Sequence, residues 1–67
     1  MKIIINNNPE EVTGEAMTVG ELLRVKNYTF KMLVVKINGV LVKKTEYETA
    51  QIHEGDDVLV LHLISGG

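Results

Sequence analysis

Apolar and polar residues follow one another along this chain in short blocks, and the spacing within the blocks changes from strand-like to helical and back. Residues 2–6 open with Ile3-Ile4-Ile5, a β-branched run that reads as a strand. Asn6-Asn7-Asn8-Pro9 follows as a turn, because asparagine tolerates unusual dihedrals and Pro9 cannot extend a ladder. Residues 10–17, interrupted by Gly14, read as a second strand. The period then becomes helical. Thr18-Val19-Gly20-Glu21 is a capping-box pattern, and Val19, Leu22 and Leu23 make one apolar face of a short helix ending near 25–27. Gly20 weakens that helix, so packing against a sheet has to stabilise it.

Residues 27–31 read as a loop back to the sheet, with Tyr28 or Phe30 tucked beneath it. Apolar runs at 32–37 and 40–42 flank Asn38-Gly39, the strongest short-range hairpin signal, since a type I′ turn needs positive φ at both central residues. Residues 43–51 are polar and read as irregular, with Tyr47 and Ile52 as anchors. Glu54-Gly55-Asp56-Asp57 is a further turn, and 58–64 is the final strand. The order is strand, strand, helix, strand, short strand, strand. One mixed sheet with one helix packed across it closes so few elements most simply. Strongly apolar first and last strands belong side by side and parallel at its protected centre. This is an α+β chain of β-grasp, or ubiquitin-like, arrangement: one domain over 1–64, with 65–67 as a flexible C-terminal tail.

Composition narrows the function more than the fold. At 67 residues and 45% hydrophobic, the chain supports one small core rather than a disordered segment. It has no cysteine, which removes a disulfide framework, thiolate metal sites and a cysteine nucleophile, and fits a cytoplasmic location. A formal net charge of −2 with scattered basic residues is the wrong sign for nucleic acid, and Lys43-Lys44 is explained by a solvated turn. The apolar start is too short for a signal peptide or a membrane span.

Candidate chemistry is sparse. His53 and His62 lack ligand spacing, so no metal site is expected; Asp56-Asp57 reads as turn residues accepting backbone hydrogen bonds rather than a cation site. Ser65 has no histidine–acid relay, and Thr18 and Glu21 are caps. No intrinsic catalytic constellation is present. What stands out is Ser65-Gly66-Gly67 after an apolar strand. Gly-Gly is a thin backbone able to enter a channel where a Cβ would clash, and the Gly67 α-carboxyl would be ionised and in need of a partner to activate it. The alternative is a frayed end without a role. In the final strand Val58 and Val60 share one face and Leu59, Leu61 and Leu63 the other. With the valines toward the helix, the leucines form an exposed docking stripe; with the opposite register or strong curvature, they are hidden.

Taken in order, Met17-Thr18-Val19-Gly20-Glu21-Leu22-Leu23, Ile37-Asn38-Gly39, Gly55-Asp56-Asp57-Val58 and Gly66-Gly67 resemble the sulfur carriers of thiamine biosynthesis, the ThiS type, over the whole chain. Val42-Lys43-Lys44-Thr45-Glu46-Tyr47 lacks the proline often found after the hairpin in those carriers. The resemblance implies a carrier rather than an enzyme. A ubiquitin-activating-like (ThiF-type) adenylyltransferase would consume ATP to adenylate Gly67, and a persulfide donor would convert it to a thiocarboxylate. A thiazole synthase (ThiG-type) would then take the sulfur. Gly66 and Ser65 would thread the tail, and Leu59, Leu61 and Leu63 would dock. No bound cofactor, metal, membrane or nucleic acid is implied. A molybdopterin-synthase-type carrier and a ubiquitin-like binding or tagging domain stay open as alternatives.

Overall fold

The computed structural model of the chain describes residues 1–28 and 32–62. β1 (Lys2–Ile5) and β2 (Asn8–Glu11) form the first hairpin; β3 (Ala16–Thr18) leads into α1 (Val19–Val25). β4 (Leu33–Ile37) and β5 (Val40–Val42) form the second hairpin, followed by a 3-10 turn at Lys44–Glu46, then β6 (Gln51–His53) and β7 (Asp57–His62). Five strands make one sheet in the order β2-β1-β7-β4-β5, and β3 pairs with β6 in a separate two-stranded ribbon. β1 and β7 run parallel, and every other pairing is antiparallel. The first and last strands are therefore neighbours inside the sheet, as expected of the β-grasp arrangement.

One apolar cluster holds the layers together. Ile3 and Ile5 of β1, Val35 of β4, Val42 of β5 and Val58 and Val60 of β7 meet Val19, Leu22 and Leu23 of α1, with Val12, Met17 and Ile52 closing the sides. Each fully buried aliphatic side chain is worth about 1.5–3 kcal/mol relative to exposure. Tyr28 and Tyr47 pack against this cluster half-buried, and burial pushes the Tyr47 phenol above its ordinary pKa. Phe30 lies outside the described residues.

The helix begins where its cap dictates. Thr18 is extended, its hydroxyl accepts from the Glu21 N–H at 3.1 Å, and the Thr18 N–H donates to the Glu21 carboxylate at 3.0 Å. Gly20 lies under the segment that follows β5: its N–H donates to the Tyr47 carbonyl at 2.7 Å, and a Cβ there, 1.8 Å from Glu48 Oε2, would push that exposed carboxylate aside. Glu48 in turn pairs with Arg24 one turn along the helix, at 3.2 Å.

Three local expectations differ from the structure. The first turn is only Asn6-Asn7, both at positive φ (50° and 68°), and Pro9 lies inside β2 opposite Ile4. Proline fits because the Ile4 N–H is turned to the other side, donating to Asp56 O at 3.0 Å. The Ile4–Pro9 pair therefore carries no ladder bond, and the missing N–H faces the open edge. Second, residues 10–17 are not one strand: they divide between the end of β2 and the start of β3, in different sheets. Third, the segment 43–51 is ordered by the 3-10 turn, and β6 follows as the partner of β3, with Met17 opposite Ile52. Among the described residues no helix is long and apolar enough to cross a membrane.

Candidate docking face

β7 is the middle strand of the five, hydrogen-bonded on both sides, so alternation decides where its side chains go. Val58 and Val60 are buried against α1, at 0% and 6% exposure. Leu59 and Leu61 point to the opposite, outer face, Leu59 half-buried and Leu61 45% exposed. Cross-strand register then fills in the neighbours. On β4, Val34 lies opposite Leu61 and Lys36 opposite Leu59; on β5, Leu41 lies opposite Lys36. On the other side, Ile4 of β1 shares the outer face with Asp57. Ile4 is 40% and Leu41 55% exposed, so the leucines of β7 sit in a wider apolar surface drawn from four strands.

Two asparagines fix this strand. Asn6 turns the chain out of β1, and its side chain takes over the ladder: its amide donates to Val60 O at 3.0 Å and its Oδ1 accepts from Val60 N at 2.8 Å. The side-chain amide stands in for the next residue of a parallel strand, which would otherwise leave Val60 unpaired on that side. Asn38 does the corresponding work at the near end. Its amide donates to Asp56 Oδ1 at 3.0 Å, its Oδ1 accepts from Asp57 N at 2.9 Å, and its N–H donates to Asp57 O at 2.7 Å. Asp56 Oδ2 also accepts from His53 N at 2.8 Å, so Asp56 closes the turn as expected of it. Asn38 and Gly39, at φ 50° and 83°, make the type I′ hairpin turn.

The remaining candidates do not converge. His53 is on β6, in the ribbon, whereas His62 ends β7 opposite Leu33. Among the described residues no group of three or more histidine, cysteine or acidic side chains could hold a metal ion. Glu21, whose carboxyl is held below its ordinary pKa by the Thr18 N–H and then the Thr18 hydroxyl, is a cap on the opposite side of the molecule from the outer face. Leu63, Ser65, Gly66 and Gly67 lie outside the described residues. Lys36, Leu41, Val34, Ile4 and Asn6 were not singled out from sequence. The first three could have been found by extending the Asn38-Gly39 hairpin register through both strands.

Fold and surface together define a β-grasp, ubiquitin-like domain that presents one apolar sheet face beside the end of its last strand. The ThiS family model matches residues 3–67, and the chain belongs to that family. Among solved structures it is similar to the crystal structure of a thiamine biosynthesis protein (ThiS) from Geobacter metallireducens, at 28% identity, with both chains covered in full and a TM-score of 0.89. The solution structure of a thiamine biosynthesis protein from Geobacter metallireducens is also similar, at 28% identity over all of this chain and 88% of that one, with a TM-score of 0.80. No curated protein matches the sequence.

Proposed function

We propose that this protein is a cytoplasmic sulfur carrier of thiamine biosynthesis that acts as a co-substrate of partner enzymes. The observation that carries the reading is the outer leucine face of β7, five residues short of Gly67, in a chain matched by the ThiS family model through that glycine. The similar Geobacter metallireducens structures, both described as thiamine biosynthesis proteins, support the pathway. Leu59, Leu61 and Leu63 dock on a ThiF-type adenylyltransferase, and Ser65 and Gly66 thread its channel.

A Gly67 carboxylate oxygen attacks the α-phosphorus of ATP, which the partner binds, and pyrophosphate leaves. The outer sulfur of a persulfide donor attacks the acyl carbon and AMP leaves, giving an acyl disulfide. A thiol attacks the donor-side sulfur; the S–S bond breaks, a new disulfide keeps the oxidising equivalent, and the thiocarboxylate is released. A ThiG-type thiazole synthase takes the sulfur from there. The carrier's own contribution is placement: it converts the encounter of acyl group and ATP into a step within one complex.

Intact mass spectrometry tests this directly. After incubation with the cognate adenylyltransferase, ATP and a persulfide donor, exchange of one oxygen for sulfur at the activated acyl carbon adds about 16 Da. The Gly67→Ala variant should remain at its starting mass. An unmodified wild-type protein under those conditions would sink the proposal.

A further inference from the structure

Taking the outer face as the surface that meets the adenylyltransferase, we infer that the partner presents a carboxylate to Lys36, and that this contact selects the partner. Lys36 lies mid-strand in β4, between Leu59 of β7 and Leu41 of β5, all on the outer face. It is half-buried, its neighbours Val35 and Ile37 pointing to the core side. The ion pairs among the described residues are Arg24–Glu48 and Lys26–Glu10, and neither involves this face. No described hydrogen bond or ion pair engages the Lys36 ammonium. Its stem is therefore flanked by leucines, while among the described residues its charge has no ion-pair partner.

Beside it opens a hollow of about 330 Å³ lined by Asn7, Lys36, Gly39, Asp57 and Leu59. Gly39 has no side chain to fill it, and nothing lies within 4 Å of where a Cβ would stand. A partner side chain of glutamate or aspartate length can enter there, lay its methylenes on Leu59 and bring its carboxylate to the ammonium. Asp57 lines the same hollow and repels a carboxylate placed on its side, which confines the acid to the side of Lys36. Once the leucines are covered, an unpaired lysine between them would be desolvated without compensation. An apolar partner lacking an acid is thereby penalised, and one carrying an acid is favoured.

The test measures binding of the cognate adenylyltransferase without ATP, by calorimetry at low and high salt. The carriers are wild type, Lys36→Arg, Lys36→Met, Lys36→Glu and Leu61→Glu, each checked for unchanged thermal unfolding. Lys36→Arg should bind within a few-fold of wild type. Lys36→Met should weaken binding about ten-fold or more and flatten its salt dependence, and Lys36→Glu should weaken it further. An Asp/Glu→Lys change on the enzyme should rescue Lys36→Glu and not Leu61→Glu. If Lys36→Met binds like wild type while Leu61→Glu does not, the carboxylate contact is wrong and the docking face stands. If wild type does not bind the enzyme, both fall. If sedimentation shows a wild-type dimer that Leu61→Glu dissociates, a second copy covers the face and the inference is overturned.

Discussion

Asn6 serves two elements at once. It holds φ at 50° and turns the chain, while its side chain satisfies both backbone groups of Val60. Alanine there keeps the strain of a positive φ and removes both partners, leaving a part-buried N–H and C=O unpaired. Asn6→Ala should lower unfolding free energy by about 2–3 kcal/mol in urea titration, and Asn6→Asp, which cannot donate to Val60 O, by a similar amount. In the alanine variant, which alone removes the acceptor of the Val60 N–H, the amide of Val60 should lose protection in hydrogen exchange ahead of Val35. Unchanged protection would mean that the central strand does not depend on the asparagine. None of this could be read from the sequence, because an Asn-Asn-Asn run signals a turn without showing which distant strand its amides reach. Gly20 is a similar case: the sequence marks it as a weak helix residue, and only the fold shows Tyr47 bonded to its N–H and Glu48 lying over it.

Elements were legible where their signals were local. The capping box fixed the start of α1, and Asn38-Gly39 fixed the second hairpin, since cap and turn geometry depend on four or five consecutive residues. β3 and β6 are three residues each and exist through pairing across more than thirty positions, Met17 with Ile52, which no local pattern announces. Pro9 argued against a strand because its position at an open edge was not knowable from neighbours. The cap also yields an energetic prediction. Thr18→Ala should destabilise by about 1 kcal/mol, lowering Tm by roughly 4–8 °C for a domain of this size. Glu21 answers the cap as a carboxylate, with its folded pKa below the ordinary 4.5. A depressed acid adds stability that is complete above the unfolded value and disappears as pH falls through the folded one. Stability should therefore decline below pH 4.5, and Glu21→Gln should flatten part of that decline in a series of thermal melts. Equal slopes in wild type and variant would show that Glu21 is not coupled to folding.

At the scale of the whole molecule, two faces of one strand divide the work: Val58 and Val60 hold the domain together, while Leu59 and Leu61 face away from it. Alternation alone sorted the two sets onto opposite faces without saying which set meets the helix. The Asn38-Gly39 hairpin links Val34 and Leu41 to each other, but placing them and Ile4 beside the leucines needs the β4–β7 and β1–β7 registers, which only the folded sheet sets. Leu61→Glu should leave stability within about 0.5 kcal/mol, since the side chain lies on the outer face and is 45% exposed, and should weaken binding to the adenylyltransferase by about 2 kcal/mol or more. Loss of folding instead would put the core on the wrong side. Beyond His62, the five residues to Gly67 can reach at most about 18 Å, at 3.3–3.6 Å each. On the proposed mechanism the outer face and the Gly67 carboxylate are therefore tethered at short range, and the proposed partner must place its ATP within that distance of the surface that binds Leu61. A tether this short leaves little tolerance for added length. One or more residues after Gly67 would bury an amide where the carboxylate must stand and move the new terminus past the phosphate. ATP–pyrophosphate exchange by the adenylyltransferase should accordingly be supported by the native protein and abolished by a C-terminally extended one, although both bind it through the same face. Equal exchange with the two proteins would remove the free carboxylate from the mechanism and leave a domain that only binds.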